Sequence, residues 1–87
     1  MPYIKQEQRR DIQSLAEKLA GLCDTPGKLN FAVSVILLKM LSFDMSYDIL
    51  NGFIGVLECI KLEFYRRIVS PYEDQKMEIN GDIEVER

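Results

Sequence analysis

The chain has 87 residues and a formal net charge of −3, and a chain of this length has room for one domain that removes only about 60 to 65% of its unfolded surface from water. It contains no histidine, so the commonest general base and the commonest transition-metal ligand are both missing. Residues 71–87 hold six acidic and two basic side chains, an excess that argues against a nucleic-acid-binding surface.

The first predicted helix spans residues 6–22. Its apolar side chains recur at the three- and four-residue steps that place them on one face, and they are Ile12, Leu15, Ala16, Leu19 and Leu22. Turn-forming residues then occupy positions 24–27, and Pro26 disfavours a helical conformation at Thr25. We therefore expect a helix with one buried side, followed by a turn.

The second predicted helix, residues 28–41, is apolar at most positions, with interruptions at Asn30, Ser34 and Lys39. Its β-branched residues would also suit a buried strand, and periodicity cannot separate the two for a short apolar run. The length of the run favours a helix. Residues 42–45 are expected to connect it to the next element.

The third predicted helix, Ser46–Val69, is apolar around most of its circumference, with Ser46 suited to its N-cap. At about 100° per residue, one set of apolar side chains fills an arc of about 160°, which we call the apolar arc. Its members are Ile49, Leu50, Phe53, Ile54, Val56, Leu57, Ile60, Phe64 and Ile68. Such a helix must be covered on several sides, so we expect a second copy of this short chain to complete the core.

Three small residues, Gly52, Gly55 and Cys59, line up along another side of this helix and are called the small stripe. Glycine within a helix costs about 0.5 to 1 kcal/mol relative to alanine, so a compensating contact is expected. Close approach of another helix would supply it, either from the same chain or across the two-fold axis of a homodimer. The small stripe is therefore predicted as an interface.

A short fourth helix is predicted from Pro71 to Ile79. Ser70 as N-cap, Pro71 at the first helical position and Glu73 three residues after the cap form a helix-start signature. Asn80 and Gly81 would end this helix, although the same dipeptide also suits the turn of a hairpin over residues 77–85. Helix is the preferred interpretation, with residues 82–87 as a frayed acidic tail.

Glu58 is the first candidate binding residue, since it lies beside Leu62 on an otherwise apolar side of the third helix. A carboxylate in that position needs a partner, because breaking a buried ion pair costs about 3 to 5 kcal/mol. Lys61, about one turn further on, is the local partner. A structural ion pair is favoured over a solvated face or a functional site.

Lys61, Tyr65, Arg66 and Arg67 combine positive charge with an aromatic ring, as surfaces that bind anions or nucleic acids do. However, Glu63 precedes Arg66 by three residues and Arg67 by four, which is the spacing of ion pairs within one helix. Pairing within the helix is therefore favoured over contact with a phosphate.

Catalytic chemistry is not expected. Glu58 and Glu63 lie about 140° apart around one helix, whereas all-α carboxylate enzymes use residues three or four apart, with further acids or a histidine. Cys23 and Cys59 are isolated, which suggests neither a disulfide nor a zinc site, and Cys59 suits the role of a small apolar side chain. We predict no catalytic residue, metal or cofactor.

A cytoplasmic location without membrane contact is expected. No run approaches the roughly 20 consecutive apolar residues of a membrane-spanning helix. The first ten residues, MPYIKQEQRR, are polar and lack the apolar centre of a signal peptide.

Several words of the sequence resemble a family of short, uncharacterised bacterial and phage-borne proteins. These words are MPYIKQE at residues 1–7, GKLNF at 27–31, GVLECIKLEFYRR at 55–67, PYED at 71–74 and NGD at 80–82. The resemblance spans nearly the whole chain, with a looser match between Leu29 and Leu50. It implies no activity, substrate or catalytic residue, because none is known for the family.

These observations predict a single all-α domain, a small bundle of three main helices plus a short C-terminal helix completed by dimerisation. The leading function is a non-enzymatic accessory protein that acts through its surfaces on a protein partner. The alternative is a phosphate- or nucleic-acid-associated regulator that uses Lys61, Arg66 and Arg67. A minimal carboxylate-dependent enzyme ranks third.

Overall fold

The structure, a computed structural model, describes residues 3–41 and 45–84 and is all-α, with no strand in those ranges. A short 3-10 turn, Gln6–Gln8, precedes the first helix. The helices are α1 (Arg10–Leu22), α2 (Pro26–Met40), α3 (Tyr47–Phe64), a π-helical segment (Tyr65–Val69) and α4 (Ser70–Asn80). The predicted all-α class is confirmed, and so is helix rather than strand for α2.

The first compact unit, Met1–Tyr47, contains α1 and α2. Thr25 between them has extended backbone angles, φ −136° and ψ 155°, as the following proline dictates. Its hydroxyl accepts a hydrogen bond from the backbone N–H of Lys28 at 3.2 Å, so Thr25 is the N-cap of α2. The predicted connection at residues 42–45 lies mostly outside the described residues.

The second compact unit, Asp48–Arg87, contains one uninterrupted helical stretch from α3 through the π-helical segment to α4. The predicted short C-terminal helix is confirmed as α4, but its separate start with Ser70 as N-cap is wrong. Ser70 has helical angles, φ −62° and ψ −48°, and its N–H binds the carbonyl oxygen of Tyr65, five residues earlier. The chain therefore passes through Pro71 without leaving the helix.

Pro71 explains why the helix widens at this point. Proline has no N–H to donate, and its ring collides with the carbonyl group four residues before it in a regular α-helix. A π-turn places one additional residue in the turn before the proline, and such turns appear inside helices as single-turn bulges. The residues of the helix-start signature, Ser70 and Pro71, thus lie within a continuous helical stretch.

The helical stretch ends at Asn80, and Gly81 follows with φ +82°, a conformation that favours glycine. Residues 81–84 are not helical, and the alternative hairpin has no strand within residues 77–84. Residues 85–87 of the predicted acidic tail lie outside the described residues. Two compact units within 87 residues leave the single-domain interpretation a prediction.

The described residues include no buried side chain, either apolar or polar. The large apolar side chains range from half-buried to largely exposed, and Phe31 of α2 and Phe64 of α3 remain 70% and 59% exposed. Interiors of folded proteins are close-packed, and large apolar side chains are the residues most often buried there. Within each unit, the described residues therefore enclose no hydrophobic core.

Candidate interaction surface on the long helix

Glu58 forms the predicted ion pair with Lys61 on α3, with 3.1 Å between the Lys61 Nζ and Glu58 Oε1 atoms. The expected burial is not observed in the single chain, because the Glu58 side chain is 55% exposed. An exposed pair of this kind contributes about 0 to 1 kcal/mol. The ion pair therefore forms, but it would contribute substantially to the free energy of unfolding only if another surface covered it.

Glu63 binds both arginines that follow it, as its spacing predicts. Its Oε1 atom accepts a hydrogen bond from Arg66 Nη2 at 3.1 Å and another from Arg67 Nε. The hydrogen bond from Arg67, together with that from Arg66 and the two positive charges, lowers the pKa of Glu63 below its ordinary value of 4.5. Burial opposes this shift without reversing it.

These pairs bear directly on the predicted anion-binding residues. Lys61 is paired with Glu58, while Arg66 and Arg67 share Glu63, so each of the three cations already has a carboxylate partner. A phosphate would have to compete with a neighbouring carboxylate for every one of them. The geometry favours helix stabilisation as the role of these cations.

Tyr65 and Glu73 make a contact that sequence reasoning missed. The Tyr65 hydroxyl donates a hydrogen bond to Glu73 Oε2 at 2.9 Å, across the π-helical segment. Residues eight apart in a regular α-helix lie about 80° apart around the axis. One additional residue in the π-turn reduces this to the offset of residues seven apart, about 20°. Glu73 thus binds a side chain, although a role at a helix N-terminus was expected.

The Tyr65–Glu73 hydrogen bond predicts a pH dependence. The hydrogen bond to Glu73 and the negative charges of Glu73 and Asp74 raise the pKa of Tyr65 above its ordinary value of 10.0. Because the folded-state pKa is raised, this contribution to stability is complete below pH 10.0 and is lost as the pH rises through the raised value. We expect Glu73→Gln to lower the pKa of Tyr65, as measured from tyrosinate absorbance against a Tyr65→Phe reference.

A matched control for this titration is Glu78→Gln, which removes one negative charge elsewhere in α4. It should leave the Tyr65 titration where it is in the parent protein. If Glu73→Gln and Glu78→Gln give the same titration curve as the parent, Tyr65 does not donate to Glu73 in solution.

The small stripe is open in the structure. A Cβ atom placed on Gly52 or Gly55 would have no heavy atom within 4 Å, apart from the backbone of its own helix and its chain neighbours. Cys59, which was expected to be a covered apolar side chain, is exposed and has no disulfide partner. Within the second unit, no described residue outside this helix approaches these two glycines.

The apolar arc is mostly exposed in the second unit. Eight of its nine members lie in α3, and Ile68 lies in the π-helical segment. Ile49, Phe53 and Leu57 are half-buried, and the others are exposed, with Ile54 at 65% and Ile60 at 49%. Soluble monomers rarely expose contiguous apolar patches larger than a few hundred Å². Larger exposed apolar patches are a common feature of interaction sites.

Within residues 3–41 and 45–84, no three cysteine, aspartate or glutamate side chains lie close enough to hold one metal ion. None of the helices in those ranges is both long and apolar enough to cross a membrane.

A family model for a domain of unknown function matches residues 1–83. The chain belongs to this family, described as Domain of unknown function (DUF6899). The family places no ligand or reaction on the ion pairs, the apolar arc or the small stripe. Comparisons with curated proteins and with solved structures gave no match.

Proposed function

We propose that this DUF6899 protein is a non-enzymatic interaction protein that folds and acts as a homodimer built around α3. The observation that carries the proposal is the lack of any buried side chain among the described residues, combined with the exposed apolar arc. A chain of this composition, 47% hydrophobic, has the material for a core. A second copy would supply the surface against which that core forms.

The accessible surface supports this proposal quantitatively. The chain exposes 8442 Å² and has a mass of 10.1 kDa. A folded monomer of that mass exposes about 5,300 Å², so roughly 3,100 Å² per chain remains to be covered. Obligate homodimer interfaces bury about 2,000 to more than 5,000 Å² over both partners. The uncovered area is therefore as large as an obligate dimer requires.

A bacterial or phage origin and a cytoplasmic location belong to the same proposal. The origin follows from the sequence resemblance. The location is supported by two cysteines without a disulfide partner, a pattern typical of a reducing compartment. The regulator that would use Lys61, Arg66 and Arg67 receives no such support, because each cation is paired with a carboxylate.

The dimer is tested by sedimentation and by thermal unfolding at different protein concentrations. We expect a dimer at micromolar concentration. Because association stabilises only the folded state, the unfolding midpoint should rise by about 4 °C for each tenfold increase in concentration. A monomer whose midpoint does not change with concentration would refute the proposal.

A further inference from the structure

An apolar groove with a volume of about 450 Å³ lies between α1 and α2, within the first unit. Its lining includes Leu19 and Leu22 of α1 and Phe31 and Val35 of α2. Among the described residues that line it, Lys28 alone is charged, and its ammonium group lies 2.7 Å from the Asp24 carboxylate. The groove therefore offers an apolar surface with its one charge already neutralised.

A helix face suits this groove better than a small molecule. Its volume falls within the range of ligand pockets, about 300 to 1,000 Å³, but such pockets also contain a few convergent polar groups that orient the ligand. The described lining residues supply no such group beyond the paired Lys28 and the thiol of Cys23. Recognition through apolar side chains at helical spacing is the mode that a groove of this kind supports.

Within the described chain, α3 is the helix with an apolar face suited to this groove. α1 and α2 form the walls of the groove, and α4 carries charged or polar side chains at most of its positions. The apolar arc presents Ile49, Phe53, Val56 and Ile60 at three- and four-residue steps, which is the spacing of anchors in helix-in-groove contacts.

We propose that the α1–α2 groove of each copy receives the apolar arc of α3 from the other copy, so that the two copies exchange equivalent contacts about a two-fold axis. This inference rests on the proposed homodimer and specifies which surfaces meet in it. A reciprocal arrangement closes on itself, as a symmetric dimer must. It also leaves the small stripe, about 150° around α3 from the centre of the arc, facing away from the groove.

The area to be covered favours the exchange over a simple pairing of two α3 helices. A standard interface buries about 800 Å² on each partner, roughly a quarter of the 3,100 Å² that each chain has in excess. In the exchange, each chain contributes both its groove and its apolar arc, so two contacts form at once where a pairing of two α3 helices forms one. The small stripe remains available for contact with the second α3 near the axis.

Cross-linking of mixed variants tests the exchange. One chain keeps Cys23 in the groove and carries Cys59→Ser. The other carries Cys23→Ser and Cys59→Ser together with a single new cysteine in the arc, introduced by Ile49→Cys, Val56→Cys or Ile60→Cys in turn. A short bis-maleimide is added to each equimolar mixture after refolding, and the products are identified by mass. Sedimentation of every sample reports the oligomeric state in parallel.

We expect at least one of the three arc variants to form a covalent heterodimer through Cys23 of the first chain. The product should be lost when Asn51→Cys, on the opposite side of α3, replaces the arc substitution. A sedimenting dimer without this product, or with arc-to-arc products only, overturns the exchange and leaves the homodimer standing. The same holds if, in a separate sample, a chain that carries Cys23, Cys59→Ser and the arc cysteine together becomes linked only within itself. A monomer in sedimentation overturns the homodimer itself.

Discussion

Leu57→Asp is expected to abolish the dimer and its cooperative thermal unfolding. Leu57 is a half-buried member of the apolar arc near the middle of α3. If the arc is enclosed by a second copy, an unpaired carboxylate at this position must be desolvated, which costs several kcal/mol. Small domains have only about 5 to 15 kcal/mol of stability in total, and the substitution occurs twice in a dimer. The expected product is a monomer with little fixed tertiary structure.

The alternative, that Leu57 remains as accessible as it is in one chain, predicts a far smaller effect. Aspartate in a solvated helix costs at most about 0.7 kcal/mol relative to alanine. The matched control is Ile79→Asp, since Ile79 is 74% exposed near the end of α4. Circular dichroism and sedimentation should show the control to be close to the parent. Equal, small effects of the two substitutions would contradict an enclosed arc.

A milder substitution keeps the test informative if Leu57→Asp does not fold. Leu57→Ala removes the same apolar contacts without adding a charge, and buried leucine-to-alanine changes cost about 2 to 5 kcal/mol. Chemical denaturation of this variant gives the loss directly. A cost well below 1 kcal/mol would place Leu57 in solvent.

Periodicity alone was sufficient to predict most helices, because local sequence determines helix position when an apolar stripe and clear stop signals coincide. The α1 helix ends at the predicted Leu22, whereas α2 begins at Pro26, two residues before the predicted start, because Thr25 is its N-cap and proline suits the first helical position. The intrahelical ion pairs of Glu58 and Glu63 also follow from spacing alone, since residues three and four apart are neighbours on a helix surface.

The prediction that Ser70 is an N-cap was wrong because a Ser-Pro pair can either start a new helix or lie within a continuing one. The conformation of the backbone before the pair decides between the two. A proline can remain within a helical stretch when the turn before it opens into a π-turn. The Tyr65–Glu73 hydrogen bond depends on that turn, so no regular helical spacing would have found it. A long apolar helix running into Ser-Pro without a glycine or a polar linker is the signal that favours continuation.

The helical pattern could not predict which surface covers the apolar arc. Periodicity identifies the face of a helix that is to be buried, but it does not identify the surface that packs against that face. The α1–α2 groove, for example, depends on the turn at Thr25, which places the two helices side by side. The small stripe is a similar case. Its glycines indicate close approach by another helix, but the local sequence does not identify which helix approaches.

Gly55→Ala is expected to destabilise the protein, whereas Gly21→Ala should stabilise it. Alanine at an exposed position within a helix gains about 0.5 to 1 kcal/mol over glycine. Both glycines lie within helices, and a Cβ atom on either would meet nothing within 4 Å in the single chain. One chain by itself therefore predicts a gain at both positions. A second α3 packed against the small stripe reverses the sign at Gly55 alone.

Gly21 is a well-matched reference because it lies on the polar side of α1, about 180° from Ile12. Thermal unfolding of each variant beside the parent gives the sign of each change, with the protein concentration held the same because the midpoint of a dimer depends on it. Gly52→Ala provides a second reading one turn away. If both α3 variants gain as much stability as Gly21→Ala, the small stripe faces water in the dimer, and the two α3 helices do not meet along it.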